Sequence, residues 1–290
     1  MLGINRDSVT RNWYFPGRVI YIFGKICQSF WSLFLCRRSS NVGPIGGEME
    51  LDFFVDRFIT CLKELDATDS IRRYPRKAGQ PPYLPGISTI PEGEATSLVG
   101  SLWTSTHPSD FGAEGYLHCE VPYPHSNRQK CDYVLRSATH DGPNAEWAVE
   151  VKKLAFIGDN GKNNDHAVQK LLSPYLKDRS LIHDIDRLQG AFLAERKAVI
   201  GYAFKYSFAT CEEAEHRHPD EADRIREIRK VCNTNDPING SLDPLDMVRW
   251  ADEQFRRSGK VASPLLVKTE TGFWRHPCGG TLVVFGWELP

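Results

Sequence analysis

Residues 146–156 read EWAVEVKKLAF, an apolar run that carries a carboxylate, Glu150, and an ammonium, Lys152, two positions apart. Turn-forming HDGPN precedes it and GDNGKNND follows it, so the run has the length of an ordinary central strand. Side chains alternate along a strand, which puts Glu150 and Lys152 on one face and Val149 and Val151 on the other. Charges buried without partners are expensive, so this face must offer a polar cleft, a bound ion or a partner charge. The natural partner is Asp132, in the middle of the preceding extended stretch KCDYVLRS. Pairing of the two stretches brings Asp132 beside Glu150. Two carboxylates at one place repel, and a hard divalent cation relieves that repulsion through the oxygen ligands Mg²⁺ prefers.

Outward from this strand, GYLHCEVPY, the turn PHSNRQ and KCDYVLRS predict an antiparallel hairpin over residues 115–136. Upstream, Phe54, Phe58, Cys61, Leu62 and Leu65 recur every three or four residues and predict an amphipathic helix. The Pro- and Gly-rich stretch IRRYPRKAGQPPYLPGISTIPEGE then reads as a surface loop. Downstream, Leu181, Ile185, Leu188 and Phe192 form a second helical stripe that leads into a buried strand, KAVIGYAFKY. The expected order is helix, three strands, helix, strand. Beyond it, DEADRIREIRKVC and a segment opening with Asp243 and Pro244 predict two further helices. The end, from Ser263, reads as two strands around a Gly-rich turn that extend the sheet.

With Asp132 on the second strand, Glu-Val-Lys at 150–152 on the third and this helix–strand order, the chain resembles the PD-(D/E)xK nuclease superfamily, the restriction-endonuclease-like fold. The resemblance covers about residues 49–206. It implies an α/β three-layer core with a central mixed sheet flanked by helices, here followed by C-terminal helices and a strand hairpin. It further implies a Mg²⁺-dependent endonuclease or phosphodiesterase, with Mn²⁺ as a substitute metal. Asp132 and Glu150 would be metal ligands, the carbonyl of Val151 would complete the metal shell, and Lys152 would be the catalytic cation. Cys131 stands where that family usually has Pro. An acidic residue from the first helix often joins such sites; Glu50 is the first choice here, with Glu64 and Glu114 as rivals. DNA is the first expected substrate and RNA the second. The alternative is a catalytically inactive module of the same fold that binds nucleic acid or a protein partner, and either form could be a homodimer.

The remaining residues add weaker expectations. Lys and Arg number 36 against 37 Asp and Glu, so bulk charge argues for no polyanionic partner, and attraction must come from local clusters. Arg72, Arg73, Arg76 and Lys77 form one such cluster for phosphate contact, and Lys170 is a further candidate, with Gln169 and Gln189 positioned for substrate or water. Asp159, Gly161, Asn163 and Asp165 hint at a calcium loop, but its twelfth position is Lys170 rather than an acid. Cys211, His216, His218, Cys232, His276 and Cys278 match no standard zinc spacing. Trp274, Arg275 and His276 could touch a base or backbone. Neither a P-loop nor a serine nucleophile elbow is present. The eight cysteines have no close pairs and read as reduced, which suggests a cytoplasmic or nucleoid-associated protein. The apolar stretch at residues 18–36 contains Lys25 and Gln28 and makes a poor membrane span. Residues 1–48 are therefore expected to be a dispensable extension and linker, 49–206 the nuclease-like core, and 207–290 an addition to the same domain.

Overall fold

The first helix, α1 (Leu51–Asp66), forms as its apolar spacing predicts and buries Phe54, Phe58, Cys61, Leu62 and Leu65 on one face. It belongs to a computed structural model that describes residues 48–68, 83–124, 126, 128–157, 169–174, 180–232 and 244–290. Residues 1–47, the basic cluster Arg72, Arg73, Arg76 and Lys77, and the turn-rich loop from Asp159 lie outside the described residues. Among the described residues no helix is long and apolar enough to cross a membrane.

One element departs from expectation at once. The Pro- and Gly-rich stretch ends in a second helix, α2 (Glu92–Thr106), before the first strand begins. Pro91 opens it, Glu92 and Glu94 fill its first turn, and Ala95, Val99 and Trp103 recur every fourth residue on its buried face. The hairpin follows as β1 (Tyr116–Pro122) and β2 (Lys130–Arg136), and then β3 (Trp147–Leu154). After a short helix, α3 (Gln169–Leu172), α4 (Leu181–Gln189) leads into β4 (Arg196–Lys205). Helix α4 ends at Gly190, so Phe192 is not on its stripe and stands 93% exposed. Helices α5 (Phe208–Arg217), α6 (Ala222–Cys232) and α7 (Pro244–Arg257) precede β5 (Leu266–Glu270) and β6 (Thr281–Glu288).

The six strands make one mixed sheet in the order β1-β2-β3-β4-β6-β5. Only β3 and β4 run parallel, with α4 in their crossover; the other neighbours are antiparallel. Helices cover both faces. On one, α1 and α2 pack over Trp147, Val149, Val151, Ile200 and Tyr202. On the other, α4 and α7 pack over Ala148, Leu154, Val199, Phe285 and Trp287. Gly201 is required on this second face, because a Cβ there would lie 2.2 Å from the Phe285 ring.

The opening stretch is therefore the centre of the sheet, and all eight residues of β3 are buried. Glu146, just before it, is spent on structure: its carboxylate accepts the Met49 amide at 2.6 Å and the Ser137 amide at 3.2 Å. These bonds fasten the segment before α1 to the sheet.

Candidate active site at the opening of strand β3

Strand β2 pairs with β3 at Leu135↔Trp147, Val134↔Ala148 and Tyr133↔Val149, and the pairing stops there. Glu120, which the register of β1 places opposite Asp132, has φ 53°, a left-handed conformation uncommon for a residue with a side chain. The hairpin thus bends away from β3 at Asp132. The next two amides of β3 on that edge are received by carboxylates instead of a strand. Asp132 Oδ2 accepts from Val151 N at 2.7 Å, and Glu92 Oε2 accepts from Lys153 N at 2.5 Å. An extended residue sends its N–H and C=O out on the same edge, so the Val151 carbonyl also faces this opening.

Glu150 and Lys152 project from β3 onto the α4 face, as strand alternation predicts. Glu150 Oε1 accepts from the Tyr123 hydroxyl and from Arg187 Nη2, the latter at 3.1 Å. Lys152 Nζ lies 2.8 Å from Asp184 Oδ2 and 3.2 Å from Glu92 Oε1. Asp184, 1% exposed, also binds Arg187 Nη2 through Oδ1 at 2.6 Å. Lys153 points to the opposite face, where its ammonium caps the carbonyls of Ser88 and Ile90 at 2.5 and 2.7 Å. Four carboxyl groups thus surround two close cations, Lys152 and Arg187.

The electrostatics follow from that count. Burial, then the charge of Glu150 and a hydrogen-bonding contact with it, pushes the Asp132 carboxyl well above its ordinary range, while the Val151 amide pulls the other way. Glu150 is also raised, first by burial and then by Asp184, with Tyr123 and Arg187 opposing. Burial alone would lower Lys152, but Glu92 and Asp184 outweigh it and hold the ammonium above its ordinary value. Lys152 is therefore a fixed positive charge at neutral pH and is not available as a base.

Several expected site residues lie elsewhere. Glu50 is corrected by the structure: its carboxylate reaches Arg196 at 3.1 Å at the start of β4, away from the opening, and stays mostly exposed. Glu64 faces His107, and Glu114 is 84% exposed near Arg136. The carboxylate that does stand at the opening is Glu92, in the first turn of α2, where the Pro- and Gly-rich sequence predicts a loop. Lys170 lies close by, its ammonium donating to the Lys153 carbonyl at 3.3 Å, whereas Gln189 binds the Lys260 carbonyl outside the site. Cys211 and Cys278 are buried in an apolar cluster with Leu84, Ile225 and Ile228, and among the described residues they join no zinc-like set of ligands.

Among the described residues no group of three or more His, Cys, Asp and Glu side chains converges as if on a metal. Mg²⁺ does not need such a group, because it keeps several waters and is typically held by one or two carboxylates. Asp132, Glu150 and the Val151 carbonyl are hard oxygen donors. Two carboxyls facing each other with raised affinity for protons are the arrangement a divalent cation would relieve, so these residues fit the ion. The chain matches no family model, no curated protein and no solved structure.

Proposed function

We propose that the chain is a Mg²⁺-dependent nuclease, with a core of restriction-endonuclease-like type, that hydrolyses phosphodiester bonds, DNA first among its substrates. The observation that carries this reading is the meeting of Asp132, Glu150 and Lys152 where β2 stops pairing with β3 and carboxylates receive the next amides of β3. Asp132, Glu150 and the Val151 carbonyl would hold the metal, which when bound polarises a phosphate and lowers the pKa of a bound water. Lys152, kept charged and pointed by Glu92 and Asp184, stabilises the negative charge that develops on the phosphate. Holding that ammonium from two sides removes most of the freedom a lysine would otherwise lose on reaching the transition state.

One observation favours a second reading, a nuclease-like fold that binds nucleic acid without cutting it. Glu150 already has the Tyr123 hydroxyl and the Arg187 guanidinium as partners, so its own charge is met without a metal.

Incubation with plasmid, linear duplex, single-stranded DNA and RNA, in Mg²⁺ or EDTA, separates the two. Cleavage in Mg²⁺ alone, lowered about 10²- to 10³-fold in Lys152→Met and Glu150→Gln, is the expected result. Cleavage that both variants leave intact would sink the mechanism. Metal-independent binding with no cutting supports the second reading.

A further inference from the structure

Arg187 has no role in the mechanism above, yet it is the second cation of the site. Its guanidinium reaches Asp184 Oδ1 at 2.6 Å and Glu150 Oε1 at 3.1 Å, and lies over the Tyr123 ring with 5.1 Å to the centroid. Two of these three attachments, Asp184 and the aromatic face, do not involve a metal-binding residue. The third does: a divalent cation held by Glu150 would lie close to the guanidinium on the same carboxylate. Cations repel each other at close range in a buried site, so occupation of the opening favours release of Glu150 by Arg187. The guanidinium would then stay anchored by Asp184 and Tyr123, with donors freed at the edge of the metal position. Its planar fork suits a phosphate better than a point charge does.

We propose that Arg187 is an exchangeable ligand of Glu150 that neutralises this carboxylate in the empty site and, once a divalent cation takes Glu150, binds a non-bridging oxygen of the substrate phosphate. Asp184 is the positioning residue for the exchange, since its two oxygens hold Lys152 and Arg187 at once. The inference rests on the nuclease reading. It makes a prediction that reading does not: removing Arg187 should improve metal binding while it impairs substrate binding.

The test is calorimetric titration of Mn²⁺, without nucleic acid, into the wild type, Arg187→Met and Arg187→Lys. The lysine variant keeps a cation for buried Asp184 but cannot span both carboxylates, so it guards against loss of folding in the methionine variant. Both should bind Mn²⁺ about 5- to 10-fold more tightly than the wild type, because a competing positive charge is gone or withdrawn. In Ca²⁺, binding of a short DNA duplex should weaken about 10-fold in both. Unchanged or weaker Mn²⁺ affinity in folded Arg187→Lys overturns the exchange, even if the wild type binds metal and cleaves. A wild type that neither binds Mn²⁺ nor cleaves overturns the nuclease reading itself, and the exchange with it.

Discussion

Two buried aspartates in this chain, Asp66 and Asp132, are spent in opposite ways. Asp66, 2% exposed at the end of α1, accepts three backbone amides: Ile87 at 2.9 Å, Trp274 at 2.9 Å and Arg275 at 3.3 Å. Its charge is used up in tying two distant loops to one helix. Gly86 makes this approach workable, since its φ is 106° and a Cβ there would lie 2.9 Å from Asp66 Oδ1. Asp132 receives one amide, that of Val151, and faces another carboxyl. A carboxylate saturated with donors is structural; one left facing a second carboxylate has unspent affinity for a cation. The contrast separates a fastening from a site without reference to activity.

The largest expected effect breaks the fastening. Asp66→Ala leaves three amides without their acceptor and removes a charge-assisted anchor, which should cost about 3–5 kcal/mol of stability. Urea denaturation followed by tryptophan fluorescence measures it. Cleavage per folded molecule should change little, and a fall in specific activity comparable to that of Lys152→Met would erase the distinction drawn here.

The next effect is on pH dependence. His276 lies beside the Asp66 anchor, 4% exposed, with its Nδ1 accepting the Cys278 amide at 3.2 Å. Burial lowers it to about 4, helped by Lys153 and opposed by Asp66 and Glu221. The unfolded chain takes up this proton near pH 6.5, while the folded chain refuses it until about pH 4. The stability contributed is therefore complete above pH 6.5 and is lost as the pH falls towards 4, about 2 kcal/mol of it by pH 5. Urea midpoints for the wild type and His276→Gln at pH 7.5 and 5 isolate this loss, and equal pH slopes would rule it out. The carboxyls at the β3 opening have raised folded values, so their contribution runs the other way.

What could be read in the sequence follows the range of the forces involved. Glu150 and Lys152 were legible because strand alternation is local, and Asp132 because neighbouring strands usually pair. Glu92 was missed because the Pro and Gly content of residues 71–94 masked the first turn of α2. The signal was there in Pro91, Glu92 and the apolar residues at 95, 99 and 103. Asp184 and Arg187 sit on a helix that was read correctly, but its apolar stripe does not show that a carboxylate is turned to the sheet. Nothing local marks Asp66 either, since two of its partners are 208 and 209 residues away. The metal and the chemistry are only what the restriction-endonuclease-like resemblance implies, while α/β architecture and the central position of β3 came from pattern alone.

The smallest effect sharpens the comparison most, because its sign differs from that of the first. Asp132→Asn keeps an oxygen to accept the Val151 amide and gains an N–H to donate to Glu150, so both contacts survive while one buried acid is removed. A carboxyl whose folded proton affinity is raised binds more protons folded than unfolded, so at neutral pH its ionisation opposes folding and the penalty fades as the pH falls. In EDTA at pH 7.5 the variant should be more stable than the wild type by about 1 kcal/mol, a midpoint rise of roughly 2–4 °C for a chain of this size. The gain should shrink on acidification, where the wild-type carboxyl regains its proton. If Asp132 and Glu150 hold Mg²⁺ as proposed, saturating Mg²⁺ should reverse the order, since the ion would stabilise only the chain that keeps both carboxylates. Thermal midpoints in EDTA and in Mg²⁺ decide the matter: an Asp132→Asn protein less stable than the wild type in EDTA would mean that Asp132, like Asp66, is a fastening after all.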